Sequence, residues 1–166
     1  NIPQKMNGSA LLSGESVHTG GAYSLSLSMP LNDFVINTHL NGRTSNDINT
    51  PIGTIENTYT NSFSASIGAS YIKNWGYIGG SFAFYDNEYG IPPDPVGHPN
   101  GVDIDMQKYQ YVVKAEYIIG NPVFKIWETD FSINNYNHIE YESSEIICSE
   151  FGLVTTYLRS KVSHGE

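Results

Sequence analysis

Charge is scarce in this chain. Asp, Glu, Lys and Arg make up 15% of its 166 residues, where an ordinary soluble domain carries about a quarter. Basic residues are the rarer kind, 8 against 17 acidic ones, for a net charge of −9. That balance tells against nucleic acid as a partner, since such proteins need a cationic face. Cysteine is nearly absent. Cys148 stands alone, so no internal disulfide forms and the redox compartment is left open. No window offers the roughly 18 consecutive apolar residues of a transmembrane helix. A membrane is not thereby excluded, because barrel strands need only about 10 residues each, apolar at alternate positions. Asn1 is not an initiator methionine, the first residues lack the basic start and apolar run of a signal peptide, and Gly165-Glu166 is an abrupt finish. The chain reads as part of a longer one.

What is present is alternation, the signature of half-buried β-strands. Weak patterning with Ala10 and Leu12 on one face predicts a first strand over Gly8–Val17, and His18-Thr19-Gly20-Gly21 a hairpin. The cleanest strand sets Tyr23, Leu25, Leu27 and Met29 against Ser24, Ser26 and Ser28, before a turn at Pro30-Leu31-Asn32. A third strand places Phe34, Ile36, Thr38 and Leu40 on one face. The Asn-, Thr- and Gly-rich stretch from Asn41 to Asn61 then reads as mainly loop. The fourth strand sets Phe63, Ala65, Ile67, Ala69 and Tyr71 against serines and Gly68, and the fifth runs Tyr77–Tyr85. Asp86 to Gly101 holds four prolines, which cannot supply a sheet ladder, and reads as a second long connection. The sixth strand carries Tyr109, Tyr111, Val113, Ala115 and Tyr117 on one face, ahead of a turn at Gly120-Asn121-Pro122. A seventh carries Trp127, Thr129, Phe131 and Ile133, then an acidic loop Glu142–Glu145, then an eighth with Phe151, Leu153, Thr155 and Tyr157.

The expected fold class is therefore all-β, an antiparallel up-and-down meander of about eight strands. Its connections are mostly short at one end and long at the other, the asymmetry of outer-membrane barrels. The polar faces are Ser, Asn, Gly and Thr rather than Lys and Glu, which suits a wet barrel interior. The apolar faces, with Tyr23, Tyr71, Tyr117 and Trp127 near strand ends, suit lipid and its interfacial belt. A segment of a larger transmembrane β-barrel is the resulting expectation. A soluble secreted β-sandwich that binds carbohydrate shares the same period and is the alternative, as is a small self-closed barrel.

The segment Ser70–Pro92, with its tight turn at Lys73-Asn74-Trp75-Gly76 and its Tyr89-Gly90-Ile91-Pro92, resembles the early barrel of TonB-dependent outer-membrane receptors. Thr50-Pro51-Ile52-Gly53 with Glu56-Asn57-Thr58, and Gly101 to Met106 followed by Tyr109, are similar to that family's stretches before the fourth and sixth strands. The His98-Pro99-Asn100-Gly101 loop is similar to Bacteroidetes-type versions. The resemblance implies a partial barrel domain over residues 1–166, with 1–6 at a plug-to-barrel junction, in a barrel of about 22 strands. It also implies a Gram-negative outer-membrane location and energy-coupled uptake of a scarce nutrient such as a siderophore or other metal complex. The implied partners are outer-membrane lipid, the receptor's own plug, the TonB coupling protein and a small-molecule ligand.

Catalytic chemistry finds no motif: the chain lacks a Gly-x-Ser-x-Gly elbow, a P-loop and a Gly-x-Gly-x-x-Gly turn, and neither an enzyme nor a cofactor is expected. Asp103-x-Asp105-x-Gln107 starts like a calcium loop, but Lys108 replaces the glycine and Lys114 the glutamate such a loop needs. The five histidines have no zinc-site spacing, so no metal site is expected. His98, in a proline-rich loop near Asp94, Asp103 and Asp105, is the candidate ligand-binding group at the outer mouth. Lys108, Lys114 and Glu116 share one face and are candidates for lumen ion pairs or plug contacts.

Overall fold

The computed structural model describes residues 5–120, 124–142, 145–151 and 155–164. They form an all-β protein, as the alternation requires. The main strands are β1 (Asn7–Glu15), β2 (Gly20–Leu31), β3 (Phe34–Ser45), β6 (Thr60–Lys73), β7 (Gly76–Ile91), β8 (Val102–Ile118), β9 (Phe124–Glu142), β10 (Glu145–Phe151) and β11 (Thr155–His164). They pair antiparallel in chain order, and β10 and β11 follow one another along the same edge of β9. A hairpin of β4 (Ile48–Thr50) and β5 (Gly53–Ile55) forms a separate small sheet. Among the described residues no ladder joins β1 to β10 or β11, so the sheet is open.

Register sorts the side chains into two faces. Directly opposed residues share a face, so the row Leu27, Thr38, Ile67, Phe82, Tyr111 and Ile133 is apolar, and the row Ser26, His39, Ser66, Ala83, Gln110 and Asn134 faces the other way. The polar face bonds to itself. Ser24 donates to Asn41 Oδ1 at 2.7 Å, Asn41 Nδ2 donates to Ser64 Oγ at 3.2 Å, and Ser28 donates to Asn37 Oδ1 at 2.6 Å. The apolar face packs only laterally, as in Phe82–Tyr111 and Phe84–Tyr109, both with ring centroids 5.1 Å apart.

Among the described residues no second layer covers either face. Val35, Val102 and Ile104 are the buried apolar side chains among the described residues. Ile67 is 54% exposed and Trp127 51%. The surface is 11213 Å², where a compact monomer of this mass exposes about 8,200 Å².

The short-turn end is stepped. Leu31–Phe34 closes its first turn, Lys73–Gly76 the second, and the Ile119 amide reaches the Lys125 carbonyl at the third. Phe34 lies opposite Tyr71 and Gly76 opposite Tyr117, so each turn reaches two residues beyond the one before. Two residues are about 6.8 Å along a strand and two strands about 9.6 Å across, a slope of about 35°. Gly76 is forced at its turn: its φ is 134°, and a Cβ would strike the Glu116 carbonyl. Along this rim Phe34, Tyr71, Trp75 and Tyr117 form a chain of ring contacts with centroids 4.8–6.4 Å apart.

Several sequence boundaries move. The stretch Asn41–Asn61 is not mainly loop: β3 runs on to Ser45, and 48–55 is the β4–β5 hairpin. Gly42 stays in the ladder because the Tyr23 ring lies over it; a Cβ there would sit 2.5 Å from Tyr23 Cε1. The long connection shrinks to 92–101, since polar Asp86–Gly90 still pair through their backbones. Pro30 and Leu31 belong to β2, with Asn32 (φ 55°) turning instead. Pro30 lies beyond Ser28, where β1 ends, and its missing amide hydrogen costs no bond to that strand. Asn121 and Pro122 of the expected turn, Leu153 of the eighth strand and residues 1–4 of the expected junction lie outside the described residues.

Candidate functional site

The long-connection end is tied together from separate elements. Asn57, at φ 56°, donates from Nδ2 to the carbonyls of Ile91 at 2.9 Å and Val102 at 3.1 Å, clasping the feet of the proline-rich connection. The fit needs Gly90 and Gly101, where a Cβ would overlap the Asn57 side chain. Asp47 Oδ1 accepts the Thr58 amide at 2.7 Å, Thr58 Oγ1 accepts the Ile48 amide at 2.8 Å, and the Asn46 amide reaches the His18 carbonyl at 2.8 Å. The β4–β5 hairpin is thus pinned to its neighbours rather than free.

The four residues singled out by sequence divide between two places. Asp94 and His98 exchange backbone hydrogen bonds of 2.9 and 3.0 Å, and Asp94 Oδ1 accepts the Val96 amide, which folds the tip of the connection on itself. His98 Nδ1 lies 3.4 Å from Glu142 Oε2 at the end of β9. Asp103 instead accepts the Tyr59 hydroxyl at 3.1 Å. Asp105 lies in β8 between Glu88 and Ile139. Partial burial, followed by the Asp103 carboxylate and then by Glu88 and Asp47, pushes the Tyr59 hydroxyl up to about 12. Among the described residues no three His, Cys, Asp or Glu side chains stand close enough to hold a metal ion.

Sequence reasoning missed a second cluster, on the polar face. Tyr136, His138 and Glu140 alternate along β9 and so share that face. Tyr136 Oη lies 3.1 Å from His138 Nδ1, and His138 Nε2 lies 3.3 Å from Glu140 Oε1 without hydrogen-bond alignment. The signal was available as the i, i+2, i+4 spacing. Below it a hollow of about 670 Å³ is lined by Ala83, Tyr85, Met106, Lys108, Gln110, Asn134 and Tyr136, with Phe84 at its floor. A second hollow of about 370 Å³ lies along the same face, with His39, Ser66, Ser81 and Lys114 among its walls. Of the lysines expected to pair there, Lys114 reaches Asp130 at 3.5 Å.

Chemically, the hydroxyls of this face bond to one another or to amides. No protein-family model matches the chain, and no characterised protein matches it in sequence.

Proposed function

We propose that the chain is part of the wall of an outer-membrane β-barrel, the early barrel of a TonB-dependent receptor that takes up a scarce nutrient such as a siderophore or other metal complex. The observation that carries the proposal is the uncovered apolar face. A sheet with its leucines, phenylalanines and tyrosines half exposed and no second layer needs an apolar solvent, and the open alternative of a sandwich needs a sheet that the described residues do not supply.

Two geometric features support it. If the short turns lie in one membrane plane, their slope of about 35° is the strand tilt of transmembrane barrels. The apolar band on β6 runs from the level of Lys73 to Phe63, ten residues or about 33 Å along the strand. At that tilt it is about 27 Å tall, close to the roughly 25 Å band of such barrels. The aromatic rim of Phe34, Tyr71, Trp75 and Tyr117 then sits at one interface. Backbone pairing inside the sheet meets the demand that no amide face lipid alone, and the open edges at β1 and at β10 and β11 would be paired by the remaining strands of the barrel. The nutrient-uptake role and the coupling partner rest on the resemblance of Tyr89-Gly90-Ile91-Pro92 and its flanking segments.

The test is cell fractionation of the full chain with gel migration of boiled and unboiled samples. Recovery in the outer membrane with heat-dependent migration is expected. A full chain that stays monomeric in detergent-free buffer refutes the proposal.

A further inference from the structure

The larger hollow on the polar face contains a cation with no counter-ion among the described residues. Lys108 lies directly opposite Tyr85 on β7 and Tyr136 on β9. It is half-buried and makes no ion pair or hydrogen bond through its ammonium group among the described residues, while Lys114 on the same face pairs with Asp130 and Arg43 with Glu15. In a chain of net charge −9, a lysine left unpaired inside a concavity is available to an anion from outside.

The surroundings define the rest of the ligand. Tyr85 stands one strand from Lys108 in the same row, about 5 Å, and a flat ring laid against it would meet it inside the range of aromatic pairs. Ala83 and Met106 add apolar wall, and the Gln110 amide lies one row below the lysine for a polar substituent. We infer that this hollow binds a small, flat organic monoanion, an aromatic or similarly planar carboxylate, with its charge on Lys108 and its ring against Tyr85. The volume of about 670 Å³ is that of a small-molecule site. The inference stands apart from the membrane reading, because the hollow is there whatever solvent covers the opposite face.

The probe is 2-naphthoate, whose fluorescence reports binding, with neutral 2-naphthamide as its isostere. The full chain is used, in detergent micelles or, if it proves water-soluble, in buffer, so that failure of the membrane reading leaves this test intact. Naphthoate is expected to bind at least tenfold more tightly than naphthamide. Lys108→Met is expected to abolish that preference while leaving naphthamide unchanged, and Lys108→Arg to restore it. Tyr85→Leu should weaken both probes together. If Lys108→Met does not fold, the wild type still decides: competing chloride should weaken naphthoate and not naphthamide. Equal affinity of the two probes, no binding of either, or a preference indifferent to both Lys108→Met and salt overturns the inference. Absence of binding because an acidic segment of the chain already fills the hollow counts among those overturning results.

Discussion

Exchange of one apolar-face residue for lysine separates lipid from water as the solvent of that face, because the two solvents give costs of very different size. Ile67 is the residue to change. It lies four residues from Phe63 and four from Tyr71 on the same face of β6, at the middle of the apolar band, and is 54% exposed between Thr38 and Phe82. In water, Ile67→Lys removes an exposed aliphatic chain and costs under about 0.5 kcal/mol, or stabilises slightly. At the midplane of a bilayer the same change costs about 2–4 kcal/mol, a shift of roughly 30- to 1000-fold in the folding equilibrium. Ser66→Lys is the control. It lies one residue away on the opposite face, beside the hollow of about 370 Å³ that leaves room for the longer chain, and is expected to cost less than about 1 kcal/mol. Urea titration of the full chain folded into phosphatidylcholine vesicles, followed by Trp fluorescence and by unboiled gel migration, measures both. A neutral Ile67→Lys with a costly Ser66→Lys would invert the assignment of the faces and refute the reasoning.

Three further outcomes follow from particular contacts. Gly42→Val drives a side chain into the Tyr23 ring and is expected to cost about 1–3 kcal/mol, read in the same titration, with Tyr23→Ala recovering part of the loss. Asn57→Ala removes the bonds to the Ile91 and Val102 carbonyls. It should raise amide exchange and proteolysis across 91–102 while β7 and β8 stay protected, at a cost of about 1–3 kcal/mol. Partial burial and the Asp103 carboxylate push the Tyr59 hydroxyl up to about 12, above the ordinary tyrosine value of about 10. A raised folded-state value means that its contribution to stability is complete below about pH 10 and is lost as pH climbs through 12. The difference between ultraviolet titrations of wild type and Tyr59→Phe should show that late step, and a step at ordinary tyrosine pH would remove the Asp103 contact from the account.

The sheet was legible wherever its two faces differ. Tyr23 to Met29, Phe63 to Tyr71 and Tyr109 to Tyr117 alternate cleanly, and each lies in a strand on the expected face. Legibility failed where both faces are polar. Asp86–Gly90 and Asn41–Ser45 have no apolar rhythm, and their strands persist on backbone pairing and on fits such as Tyr23 over Gly42. The rim was harder still. Asn57 acts through φ 56° and two carbonyls more than thirty residues away in sequence, which no local pattern encodes. His98 and Asp103 are close in sequence, yet the strand end between them sends one to Glu142 and the other to Tyr59. The lone Lys108 was visible as a residue of the polar face, but its lack of a counter-ion depends on which row each acid occupies.

Strand length grows along the sheet, from 12 residues in β2 and β3 to 14, 16, 17 and 19 in β6, β7, β8 and β9. As the wall of the proposed barrel, stood upright at its slant, the sheet would have a bevelled mouth. Between β3 and β9 the rise is seven residues, about 23 Å along the strand and about 19 Å in height. A bulky molecule drifting in over the low lip would then meet the tall side as a backstop, on the flank where the His98 connection and the Tyr136–His138–Glu140 stripe are carried.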